Sequence, residues 1–126
     1  MLPVERIIGE EGLSASPAGL RLAMRLPWYR SLPFSTVEIA SVVVDGQPVD
    51  LSQARVEYDG HSWSLGEMAE QINAFWFVRD SAFLVLPGRN LAVGGEHDVS
   101  LTVNVNPPYI PGMKRANAQT ATLRVS

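Results

Sequence analysis

The chain has no cysteine among its 126 residues. A disulfide scaffold and a thiolate metal site are therefore excluded, and a reducing compartment is compatible with the composition. Histidine is scarce as well: only His61 and His97, far apart in the chain. Charge is sparse, with 18% Asp, Glu, Lys and Arg and a net charge of −3. The ten basic residues are scattered, so the electrostatic footprint of a nucleic-acid binder is missing. No apolar stretch approaches the roughly 20 residues that would span a bilayer. The opening Met1–Arg6 lacks a basic region followed by an apolar run, so no signal peptide is expected. These absences lead to the expectation of a cytoplasmic globular protein that engages neither membrane nor nucleic acid.

What is present is apolar and finely punctuated. A hydrophobic fraction of 46% excludes intrinsic disorder, and the length suits a single domain over residues 1–126. Gly 10 and Pro 9 cut the chain into short pieces, a rhythm that favours an all-β fold. Leu20, Leu22, Met24 and Leu26 alternate with Arg21, Ala23 and Arg25, as a strand with one buried face requires. Thr36–Val44 is β-branched and runs into Asp45-Gly46, a strong hairpin signal, with Val49 and Leu51 beyond. Arg55–Tyr58 reads as a short strand ending at Asp59-Gly60. Ser64 followed by Glu67 is the capping-box pattern, and Leu65, Met68 and Ile72 recur at helical spacing, which predicts a helix over 65–73 weakened by Gly66. Strand chemistry returns at Phe75–Val78 and Ala82–Leu86. Val99, Leu101, Val103 and Val105 alternate with polar residues, and residues 118–125 offer a last strand. The expected fold is an antiparallel β-sandwich of about seven to nine strands with one short helix. A closed barrel stays open, because sequence does not say which edges pair.

The catalytic search is negative. Glu96-His97-Asp98 reads as a polar turn at a strand start rather than part of a metal site, since three neighbours in a strand cannot point one way. No serine lies in a Gly-x-Ser-x-Gly elbow. Gly94-Gly95 lacks the strand-to-helix setting of a phosphate loop. Most carboxylates fall at turns or beside arginines, where solvation explains them. Among aromatics, Trp76 reads as core and Trp63 as a lid on the core. Trp28 and Tyr29 differ. They sit in Arg25-Leu26-Pro27-Trp28-Tyr29-Arg30-Ser31-Leu32-Pro33, a loop stiffened by prolines, where one ring either plugs the end of the sandwich or faces outward. Asn106-Pro107-Pro108-Tyr109-Ile110-Pro111 has the same character. Trp, Tyr and Arg on a stiff backbone make good recognition surfaces. Trp28, Tyr29, Arg30, Pro108, Tyr109 and Ile110 are thus the candidate partner- or substrate-flanking residues.

The order of these segments resembles the small (β) subunit of bacterial C-glycoside deglycosidases. It comprises the Arg25–Pro33 loop, the Asp45-Gly46 hairpin, Trp76-Phe77-Val78-Arg79-Asp80, and a strand ending in Pro108-Tyr109-Ile110-Pro111. The resemblance runs from about Arg6 to Val125. It implies a β-sandwich paired tightly with a larger TIM-barrel subunit that carries a divalent metal, manganese in most members, and the acid–base residues. Together the two cleave the carbon–carbon bond between a 3-oxo sugar and an aromatic aglycone such as a flavonoid or anthraquinone. The 3-keto group acidifies the C2 proton, so cleavage can proceed by elimination. The small subunit is then non-catalytic, holds no cofactor of its own, and flanks the partner's active site within a larger heteromer. A stand-alone carbohydrate-binding or adaptor module is the competing expectation, with Trp28 and Tyr109 as a stacking platform.

Overall fold

Two antiparallel sheets face each other, each strand turning its apolar residues inward. The computed structural model describes residues 7–28, 30–87, 91–106, 112 and 115–126, Arg115 through its backbone. The larger sheet has the order β1-β2-β9-β6-β7, from β1 (Ile8–Ser16), β2 (Gly19–Arg25), β6 (Arg55–Tyr58), β7 (His61–Ser64) and β9 (Ser81–Leu86). The second has the order β11-β10-β4-β5, from β4 (Val37–Val44), β5 (Gln47–Pro48), β10 (Glu96–Val105) and β11 (Arg115–Arg124). A two-stranded piece joins β3 (Leu32–Pro33) to β8 (Phe75–Trp76). The expected all-β sandwich is what forms, and its two main sheets are separate rather than closed into a barrel. The strand count exceeds the expected seven to nine because β3, β5 and β8 are two-residue pieces.

Alternation explains the core. Leu20, Leu22 and Met24 of β2, Leu84 and Leu86 of β9, and Val99, Leu101, Val103 and Val105 of β10 are all at most 2% exposed. They join Val37, Ile39, Val42 and Val44 of β4 in one connected cluster. Both Asp-Gly turns take the positive φ values that a two-residue hairpin demands: Asp45 at 51° and Gly46 at 79°, Asp59 at 48° and Gly60 at 81°. The last residues fasten the two sheets together. Val125 bridges Leu13 in parallel, Ser126 N donates to Leu13 O at 3.0 Å, and Ala15 N donates to Ser126 O at 3.0 Å. Nearby, Gln119 Oε1 of β11 accepts from Ile7 N and Ile8 N at 2.7 and 2.9 Å.

Several expectations need correction. The capping box forms in full, with Ser64 N donating to Glu67 Oε1 and Glu67 N to Ser64 Oγ, yet the helix α1 covers only Leu65–Met68. Met68 is buried, whereas Ile72, assigned to the same stripe, is 68% exposed. With Gly66 inside it and a single turn of length, α1 has too few hydrogen bonds to propagate. The strand expected over 75–78 stops after Trp76, because β3 offers only two residues to pair with. Beyond the Asp45 hairpin only Gln47 and Pro48 pair as strand, while Val49 and Leu51 pack half-buried against the core. Among the described residues, no helix is long and apolar enough to cross a membrane.

Candidate functional site

The described segments that flank the loops of interest meet at one end of the sandwich. Asn106 N, just after β10, donates to Thr36 O at 2.8 Å, just before β4. Phe34 N and Ser35 N donate to Ala74 O and Gln71 O at 2.9 and 3.2 Å. The β2–β4 loop, the exit of β10 and the segment following α1 are therefore neighbours. Trp28 is 7% exposed and part of the core cluster. Of the two settings open to its ring, it takes the one that caps this domain's own core, and it offers no free aromatic face. Arg30 is exposed beside it. Tyr29, Pro108, Tyr109 and Ile110 lie outside the described residues.

The segment Gln71–Asp80 forms an arch over this end, and its fixing is unusually dense. Trp76 is fully buried, stacked on Phe34 with centroids 5.3 Å apart and planes 5° from parallel, and its Nε1 donates to Asp80 O at 2.9 Å. Phe34 also touches Tyr58 and Trp63 at 5.0 and 5.1 Å. Trp63 is half-buried over the core, as expected of a lid. Val78 N donates to Ser31 Oγ at 3.0 Å and Phe77 N to Tyr58 Oη at 3.2 Å. Tyr58 Oη in turn donates to Asp80 Oδ2 at 2.6 Å. Because Trp76 points inward, its neighbours must point outward: Phe75 is 44% exposed and Phe77 58%. Reading 75–78 as one apolar strand concealed this. The period of two was the available signal, since a strand with a buried Trp76 turns Phe75 and Phe77 to its other face.

Burial, and then the bond to Asp80, push the Tyr58 hydroxyl up to about 12. An unfolded tyrosine ionises near 10, so the folded state holds this proton more tightly. The stability it contributes is intact below pH 10 and is lost as pH rises through about 12. Tyr58→Phe is expected to cost about 1–2 kcal/mol at neutral pH through the lost hydrogen bonds. It should also flatten the loss of thermal stability between pH 10 and 12, as read by melting curves. An unchanged alkaline profile would remove Tyr58 as its source.

Elsewhere the chemistry is thin. His97 Nδ1 lies 2.6 Å from Asp45 Oδ2, and Asp45 Oδ1 accepts from Asp98 N at 2.9 Å. That pairing ties the start of β10 to the β4 turn, as a structural polar turn would. His61 stacks on Trp63 at 5.5 Å. Among the described residues, no three His, Cys, Asp or Glu side chains are placed to hold a metal ion. On the outer face of the larger sheet, an open groove of about 440 Å³ is lined by Arg21, Glu57, His61 and Phe83, among others. There Arg21 pairs with Glu57 at 3.2 Å and lies 4.2 Å over the Phe83 ring. A second groove of about 330 Å³ runs between Ile39 of β4 and Met68 of α1.

Comparison with known proteins gives one consistent answer. Residues 7–109 match the family described as C-glycoside deglycosidase beta subunit. A 3'-dehydrocarminate deglycosidase beta subunit of a Microbacterium species is 41% identical over 85% of this chain and 80% of its own length. A C-glycoside deglycosidase beta subunit of Arthrobacter globiformis is 32% identical over 86% of this chain and 84% of its own. One from Microbacterium trichothecenolyticum is 33% identical over 87% and 82%. This small β-sandwich, matched over most of its length to such proteins, belongs to the C-glycoside deglycosidase beta subunit family.

Proposed function

We propose that this chain is the small, non-catalytic subunit of a bacterial C-glycoside deglycosidase acting in the cytoplasm. Its partner is a larger TIM-barrel subunit that holds a divalent metal, manganese by the family resemblance, together with the acid–base residues. The complex cleaves the carbon–carbon bond between a 3-oxo sugar and an aromatic aglycone, in a lyase-type elimination from the acidified C2 position. The named substrate of the relative at 41% identity, 3'-dehydrocarminate, fits that class. A TIM barrel builds its active site from loops at one face. A rigid neighbour can shape that mouth without donating a reacting group.

The observation that carries this reading is the family match combined with a rigid, aromatic-rich end. Among the described residues no cluster fits a manganese site, so no step of the reaction is derived through them. Arg30 remains a candidate flanking residue, and Trp28 supports the loop from below. Tyr29, Pro108, Tyr109 and Ile110 keep the same candidacy.

Co-expression with the neighbouring genes tests the reading. A metal-binding barrel protein is expected to co-purify with this chain in fixed stoichiometry. Recovery of this chain as a lone monomer that retains sugar would instead favour a stand-alone carbohydrate-binding module.

A further inference from the structure

We infer that the Ile72–Phe77 arch is the apolar heart of the surface that docks the large subunit, with Phe75 and Phe77 as its anchors. This rests on the reading of the chain as the small subunit of a deglycosidase. Of the four large hydrophobic side chains exposed among the described residues, three fall within these six positions: Ile72 at 68%, Phe75 at 44% and Phe77 at 58%. Scaled by side-chain size, that exposure amounts to roughly 350 Å² of apolar surface. The largest apolar patch on a typical monomer is about 300–600 Å² and is often functional. This exposure is also close to half of the about 800 Å² that each partner gives to a standard interface. The patch therefore has the size of an interface centre and is too small to be a whole interface.

Rigidity is the second argument. A mobile aromatic loses entropy on docking, whereas a fixed one does not. The buried Trp76 between the two phenylalanines, its Nε1 bond to Asp80 O, and the Phe77 N bond to Tyr58 Oη fix the backbone that carries both rings before any partner arrives. Exposed large side chains of this kind suit a hollow on a protein better than a small molecule. The arch also lies at the end where Asn106 meets Thr36 and where Arg30 is exposed. Docking here brings Arg30 and the exit of β10 to the partner's edge.

The test measures dissociation constants between the full chain and the large subunit that co-purifies with it. Phe75→Ser with Phe77→Ser is expected to weaken pairing 100-fold or more, since central aromatic anchors dominate such interfaces. Phe77→Ser alone, more exposed and less able to disturb folding, should cost about tenfold. Val93→Ser is the control. Val93 is 70% exposed and lies near the start of β10, about 33 Å along that ten-residue strand from Asn106. It should leave affinity within threefold, with melting curves of the single variants unchanged. If the unaltered chain pairs but all variants pair equally well, the surface lies elsewhere and the subunit reading stands. If the unaltered chain fails to pair at micromolar concentration, the subunit reading falls and the surface with it. A homodimer of this chain that the same substitutions break, with large-subunit pairing untouched, would reassign the patch to self-association.

Discussion

Trp76→Ala is expected to remove about 3–5 kcal/mol of folding stability, the usual cost of deleting a fully buried large aromatic. Domains of this size are stable by only about 5–15 kcal/mol, so the variant should be marginal at 37 °C. The site cannot easily collapse. Trp76 stacks on Phe34, which also carries Tyr58 and Trp63, so the void would open against a cluster of three remaining rings. Its indole also anchors Asp80 O, whose side chain receives the Tyr58 hydroxyl. Removing the ring therefore unties the arch as well as the core. Urea denaturation should show a lower midpoint, and at low temperature the surviving folded fraction should bind its partner poorly. Trp76→Phe separates the two effects, since it keeps a ring against Phe34 and loses the bond to Asp80 O. That variant should lose about 1–2 kcal/mol. An unfolding free energy for Trp76→Ala within about 0.5 kcal/mol of the parent would show that the ring does not support this end of the fold.

Gly19→Ala should be nearly as damaging, at about 3–5 kcal/mol, for an unrelated reason. Gly19 has a φ of 130°, a conformation that residues with a Cβ rarely adopt. A Cβ there would sit 2.4 Å from Leu86 O and 2.9 Å from both Leu86 C and Pro87 Cα, all backbone atoms that cannot swing aside. The neighbouring Leu20 pairs with Leu86, so relief requires parting β2 from β9 at the centre of the larger sheet. Ser16 Oγ donates to Gly19 O at 2.7 Å and fixes the hairpin from its other side. Denaturation of Gly19→Ala beside an alanine at Gly94 tests this directly. Gly94 also has positive φ, at 92°, but an added Cβ meets nothing within 4 Å there. The Gly94 variant should lose only the conformational term, about 1 kcal/mol. Equal losses at the two sites would remove the clash from the explanation.

Local chemistry was legible wherever it acts within a few residues. The Asp45-Gly46 and Asp59-Gly60 turns, the Ser64–Glu67 capping box and the strand at Arg55–Tyr58 all form as their sequence signals require. The unread strands lack such signals. β1 breaks its alternation with a register shift between Ile8 and Leu13, and β7 is too short and polar for periodicity to register. The extent of α1 and of the 75–78 strand was set by available partners, which are properties of the assembled fold.

The candidate site was legible as a region more than as residues. The loop around Trp28 does lie at the loop-rich end, yet the ring turns inward, a choice made by packing with Leu26, Leu32 and the rest of the core. The exposed anchors came instead from Phe75 and Phe77, which the sequence places only in a strand around the core Trp76. One buried tryptophan between two phenylalanines carries both messages, and only the identity of the inward ring tells them apart.

The most direct measurement is release of aglycone from a 3-oxo-C-glycoside in the presence of manganese, by each subunit alone and by the two combined. This chain alone should release none, the large subunit alone little, and the recombined pair should restore full turnover at a one-to-one ratio. Turnover by this chain alone, or a large subunit fully active without it, would contradict the assignment of this fold as a docking subunit.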